Sequence, residues 1–192
     1  MSETKSGFLV LADISGFTAF LTATELEHGP PIIKELLEAV IGKIAPPLEI
    51  HGIEGDAIFA VGPDGTVLPP ASLREILRAG FEGFRAKQRE LAADESCNCR
   101  CCRGVGSLRL KAVGHYGPFV EYAVGGRSQL AGPAVILAHR MLKNGVTAED
   151  YALLTRPALD RMDLDPMELG LAPHTETYEH FGEVECYVES VA

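Results

Sequence analysis

Residues 8–12 read FLVLA, an uninterrupted apolar run that stops on Asp13. A run this short is far below the roughly 20 residues of a membrane span. It is also too apolar for a strand with one face in water, so it predicts a buried strand. Beyond Asp13 the chain must turn away from that strand. Ser15 is placed to cap a short helix that starts near Gly16 and carries Phe17, Phe20 and Leu21 on one face. Gly29, Pro30 and Pro31 break the chain. Ile32, Ile33, Leu36, Leu37, Val40, Ile41 and Ile44 then recur at helical spacing and predict a strongly amphipathic helix. Pro46 and Pro47 end it. Leu48 to Ile53 and Ala57 to Val61 read as two strands joined by the tight turn Glu54-Gly55-Asp56.

Pro69 and Pro70 open a third predicted helix, with Leu73, Ile76, Leu77, Gly80, Phe81 and Phe84 on one side and an Arg/Lys/Glu-rich solvated face on the other. Leu108 to His115 and Phe119 to Val124 read as a strand pair turning at Tyr116-Gly117-Pro118. Gly125-Gly126-Arg127 reads as a turn. Gly132 and Pro133 start a fourth helix with Val135, Leu137, Ala138, Met141 and Leu142. Tyr151 to Thr155 is a further strand, and Tyr178 to Val191 a final hairpin around Gly182. This order predicts an α+β fold, a mostly antiparallel sheet with helices packed on one face. A hydrophobic share of 46% is enough for a core, and a net charge of −10 argues against generic binding to nucleic acid or an anionic membrane. With no leader-like segment at the N-terminus, the sequence predicts a cytoplasmic protein, one domain over residues 1–192.

Asp13 ends a buried strand and Asp56 lies in a hairpin turn. If their strands are neighbours, the carboxylates meet at one end of the sheet and need a cation between them. Mg2+ suits one or two protein carboxylates completed by phosphate oxygens and water. Read locally, each Asp is equally at home as a helix cap or a turn residue.

FLVLADISGFTAF resembles the first metal motif of class III adenylate and guanylate cyclases, and IEGDAIFAVGP their Gly-Asp hairpin motif. LRLKAVGHYGPFVEYAVGG resembles the family's next strand pair, and GPAVILAHRMLKN the helix with the transition-state residues. The match is nearest to an uncharacterised cyclase-related family, a domain of unknown function, and covers about residues 7–155, leaving 156–192 as a C-terminal extension. The resemblance implies a ferredoxin-like nucleotidyl cyclase fold and a head-to-tail homodimer binding nucleoside triphosphate. It implies Mg2+ or Mn2+ held by Asp13, Asp56 and the main-chain carbonyl of Ile14, with Phe17 and Lys143 near the nucleotide. The catalytic Arg position falls on Arg140 and the neighbouring Asn position on Ile136. The base-reading pair falls on Gly52 and Gln129.

Ile136 offers no hydrogen-bond donor, and Gly52 offers no side chain to read a purine. The resemblance therefore leaves three functions open. These are a weak or altered-specificity cyclase, a nucleotide-binding protein without turnover, and a different phosphoryl chemistry using His139, Lys143 or His51. A non-catalytic dimeric interaction module is a further alternative. Cys97, Cys99, Cys101 and Cys102 are spaced closely enough to predict a structural Zn2+ site, or else a loop of reactive thiols. Cys186, inside a predicted strand, reads as a buried inert thiol. His115 reads as a satisfied structural histidine. Arg140 and Lys143 within HRMLKN could face a phosphate or simply solvent.

Overall fold

Strand β1 (Thr4–Ser15) is buried from Gly7 to Ala12, where both of its faces are covered. Phe8, Val10, Ala12 and Ile14 point to one side, where α1 (Phe17–Thr22), α2 (Gly29–Ile44) and α3 (Ser72–Ala92) pack. Leu9 and Leu11 point to the other, against Ala134, Val135 and Ala138 of α5 (Pro133–Arg140). The alternation of side chains along a strand makes this division. Against the expectation of helices on one face, α5 thus lies across the opposite face from α2 and α3. The computed structural model describes residues 3–22, 27–64, 72–93 and 100–191.

The sheet has the order β2-β3-β1-β4-β6-β8-β7, with β5 paired to the far half of β4. Its strands are β2 (Glu49–Glu54), β3 (Ala57–Pro63), β4 (Arg109–Val124), β5 (Arg127–Ala131), β6 (Tyr151–Thr155), β7 (Ala172–Tyr178) and β8 (Gly182–Ser190). Every described pairing is antiparallel except β4 with β6. The short α4 (Arg100–Gly104) precedes β4, and α6 (Arg156–Arg161) follows β6. The α+β architecture agrees with the sequence pattern.

Two elements differ from the sequence pattern. The final hairpin pairs Ala172–Tyr178 with Gly182–Ser190, so the expected Tyr178–Val191 span holds only its second strand. Residues 109–124 form a single strand, with no turn at Tyr116-Gly117-Pro118. Pro118 is tolerated because it lies between the end of β6 pairing at Gly114 and the start of β5 pairing at Val120. Its missing N–H interrupts no ladder on that side. The hairpin turns instead at Gly125 and Gly126, both with positive φ. Gly117 has a separate task. A Cβ there would sit 2.7 Å from the Ala134 Cβ, so its bare backbone is what lets α5 settle on β4.

Helix α3 is more than a solvated face. Arg74 and Arg78, one turn apart, both reach the carboxylate of Glu189 on β8. Arg85 pairs with Asp150 at 3.0 Å and also donates to the main-chain carbonyl of Val191. The basic residues of this helix therefore fasten it to the end of the sheet. Among the described residues, no helix is long and apolar enough to cross a membrane.

Candidate functional site

Strand pairing sets a row across the sheet: Ala57, Asp13, Lys111, Tyr151 and Ser190 are successive Cα partners. Asp13 therefore points to the same face as Leu9 and Leu11, the face that α5 covers. Asp56 sits one residue before Ala57, in the β2–β3 turn that Gly55 closes with a φ of 64°. The strands that carry the two Asp residues are direct neighbours, as the paired motifs require. The two carboxylates face each other closely enough to repel. Partial burial, then the charge of Asp13, pushes the Asp56 carboxyl up to about 6.

Lys111 is the residue that local reading of the sequence misses. Its Nζ lies 2.9 Å from Asp13 Oδ2, with both side chains about one-fifth exposed. Within LRLKAVGH it reads as an ordinary polar position on an alternating strand; only the β1–β4 register shows its partner. The donor set is thus two mutually repelling carboxylates near a strand end, with one ammonium ion-paired to Asp13 and acting more weakly on Asp56. That chemistry fits a divalent cation with room for phosphate oxygens. Among the described residues, no group of three or more His, Cys, Asp or Glu side chains converges on a metal point. The pair therefore needs ligands from elsewhere to complete a coordination shell. The Ile14 carbonyl belongs to the β1 backbone beside this pair.

The raised Asp56 carboxyl has a stability consequence in the metal-free chain. An unfolded Asp titrates near 3.8, and the folded one at about 6. Between these values the folded chain keeps a proton that the unfolded chain has released. Stability therefore falls as pH rises through this window. Asp56→Asn should remove the loss. After discounting for solvent screening, we expect it to gain about 1 kcal/mol over the unaltered chain above about pH 6 and to show no such gain near pH 4. Chemical denaturation of both proteins across the window, in chelator, checks this. A difference independent of pH would contradict it.

The other positions fall into separate places. Phe17 lines an apolar groove of about 310 Å3 between α1, α2 and the β2–β3 turn, with Ile33, Leu37 and Ile53. Gly52 lies in β2 beside a bulge, and a Cβ there would meet nothing within 4 Å. Gln129 is exposed on β5, and its amide donates to the neighbouring Ser128 carbonyl. Ile136 is exposed on α5. Arg140, at the end of α5, donates to the main-chain carbonyl of Glu179 at 2.6 Å and lies over the Phe181 ring. Lys143 is exposed, and its main-chain carbonyl accepts from the Tyr178 hydroxyl. Within one chain, Asp13 and Asp56 come together. Arg140 is instead engaged by the β7–β8 turn.

His139 and His51 flank Phe59 edge-on, with ring centroids 4.9 and 5.5 Å from it. His115 is buried, bonded through Nδ1 to the Thr155 hydroxyl at 2.9 Å, and burial lowers it to about 4. It is neutral at physiological pH and serves the core. Cys186 is fully buried, and burial pushes its thiol up to about 12, so it is inert. Cys97 and Cys99 lie outside the described residues, as do Pro69, Pro70 and the side chain of Cys101. Cys102 is half-buried at the start of the segment that leads into β4.

Residues 33–151 match the family described as Protein of unknown function (DUF2652). The uncharacterized protein Rv2561/Rv2562 of Mycobacterium tuberculosis is 32% identical over 163 residues, which span 82% of this chain and 73% of that protein. Among solved structures, the adenylyl cyclase CyaB from Pseudomonas aeruginosa superposes with a TM-score of 0.71 at 13% identity, over 100% of this chain and 97% of that one. A class III adenylyl cyclase-like ATP-binding protein from Pseudomonas aeruginosa gives a TM-score of 0.62 at 20% identity, over 83% of this chain and 35% of that one. At these identities the structural likeness establishes the class III cyclase fold.

Proposed function

The chain belongs to the family described as Protein of unknown function (DUF2652), and from that premise we propose that it binds metal–nucleoside triphosphate and cyclises it slowly or not at all. One observation carries this reading: Asp13 and Asp56 face each other at the end of neighbouring strands and repel, with a single ammonium, Lys111, ion-paired to Asp13. Asp13, Asp56 and the Ile14 carbonyl would hold Mg2+ or Mn2+, which supplies charge neutralisation for polyphosphate oxygens. The residues of the chain do the rest. The Asp pair fixes where the phosphates lie, and Phe17 contributes apolar surface beside the Asp56 turn.

In this reading two copies associate head to tail, and Arg140 of one copy meets the triphosphate held by the other. Exposed Tyr122 and Val124 on β4 and Ile136 on α5 supply apolar surface for such association. Ile136 also explains poor turnover. Where a donor to developing charge is missing, rate falls by about 10²–10³. Ground-state binding, which rests on the metal and the cationic groups, suffers less. Gly52 and Gln129 leave the base without a charged reader, so the reading predicts weak discrimination among bases.

Titration of the chain with ATP, GTP, CTP and UTP, in Mn2+ and in chelator, tests this. Saturable binding that needs Mn2+ and varies little with the base is expected. Ile136→Asn should raise any residual cyclase rate by about tenfold or more with little change in affinity. Failure of every triphosphate to bind would reduce the chain to a dimeric interaction module on an inherited fold.

A further inference from the structure

We infer that the β7–β8 turn positions Arg140 for polyphosphate, with the Phe181 ring and the Glu179 main-chain carbonyl as the positioning groups. The inference rests on the reading that Arg140 meets a triphosphate. Three observations carry it. The first is the pair of contacts on the guanidinium: Nη1 donates to the Glu179 carbonyl at 2.6 Å, and the group's carbon lies 5.6 Å from the Phe181 ring centre. One N–H and one face are used. Among the described residues no other acceptor takes up the remaining N–H groups of this planar fork, which suit phosphate oxygens.

The second is the shape of the turn. Phe181 N–H donates to the Tyr178 carbonyl at 3.0 Å, closing a four-residue turn. His180, its third residue, has a φ of 71°, while Glu179 keeps a negative φ. This is the signature of a type II turn, which favours Gly or Asn at that place. A histidine there is strained. The Glu179 carbonyl takes no part in closing the turn and is left for Arg140. Local strain of this kind persists where surrounding contacts hold it.

The third is that β7 grips the rest of the same segment. The Tyr178 hydroxyl donates to the Lys143 carbonyl at 3.2 Å, and Gly145 N–H donates to Glu176. Asn144, next in the chain, accepts from the Tyr151 hydroxyl at 2.9 Å, on the strand that adjoins Lys111. The helix end that carries Arg140 is therefore held from Arg140 to Gly145 by one hairpin and β6. A guanidinium stacked and hydrogen-bonded in this way loses less freedom on meeting an anion than a free one does. The ligand class is a polyphosphate, recognised by an oriented fork.

Binding of inorganic triphosphate and of ATP, each in Mn2+, to the full chain and four variants tests the role. Arg140→Ala should weaken both ligands about tenfold. Phe181→Ala should weaken them about three- to tenfold while leaving Mn2+ affinity unchanged. Phe181→Tyr, which keeps a ring, should restore binding. The double variant Arg140→Ala/Phe181→Ala should bind no more weakly than Arg140→Ala alone, because the ring acts through the guanidinium. Additive losses, or unaltered binding after Phe181→Ala, would overturn the positioning role alone. A chain that binds neither ligand in any form overturns the triphosphate reading together with this role.

Discussion

If Asp13 and Asp56 hold the cation as proposed, Asp13→Ala should lower Mn2+-dependent triphosphate affinity by about 100-fold or more, since it removes one of the two carboxylates. Asp56 alone leaves the cation with one carboxylate, and Lys111, released from its 2.9 Å partner, is left with Asp56 as its nearby counter-charge and competes for it. Both changes act against a cation. The variant should still fold, because Asp13 lies at the sheet end beyond the buried run of β1. Circular dichroism and a thermal melt confirm that before binding is compared. Retained Mn2+-dependent binding in a folded Asp13→Ala protein would remove the basis for a metal site at this pair. Lys111→Met makes a useful companion, because it perturbs the same spot without removing a carboxylate.

Glu189→Ala should produce the largest loss of stability. The Glu189 carboxylate is 5% exposed and receives both Arg74 and Arg78. Truncation leaves Arg74, itself about one-fifth exposed, as an unpaired cation against the sheet. Breaking a buried pair from one side typically costs about 3–5 kcal/mol. Arg78 is half in water and re-solvates, so the lower end, about 3 kcal/mol, is expected here. For a domain of this size that corresponds to a fall in melting temperature of about 6–12 °C. A change under about 1 °C would mean the ion pairs merely decorate the surface. Triphosphate binding at low temperature should be unaffected, since Glu189 lies on β8, away from the Asp pair.

The carboxylate pair was legible in the sequence because each half is a local event. An apolar run stops on Asp13, two residues before β1 ends, and a Gly-Asp turn presents Asp56; both need only a few consecutive residues. The elements missed depend on partners far along the chain. Lys111 looks like any polar residue on an alternating strand until the register sets it opposite Asp13, nearly a hundred residues earlier. The arginines of α3 resemble a solvated helix face until β8 brings Glu189 beneath them. Arg140 was legible by resemblance, but its hold by Glu179 and Phe181 was not, because a hairpin turn gives no local sign of what it touches. Pro118 misled in the other direction. Tyr-Gly-Pro is a turn signal on its own, and only the gap between β6 and β5 pairing lets it stand inside one long strand. The buried run of β1 did point to a fully covered strand; it could not tell which helix would cover its second face.

Formation of cyclic nucleotide at saturating Mn2+–triphosphate, followed on the same protein sample whose binding has been titrated, is the sharpest test of a site that binds without efficient turnover. Saturated binding with cyclic product forming slowly or not at all is the predicted result. Rapid formation of cyclic product by the unaltered chain would show that Ile136 and Gly52 do not disable the site, and would contradict that function.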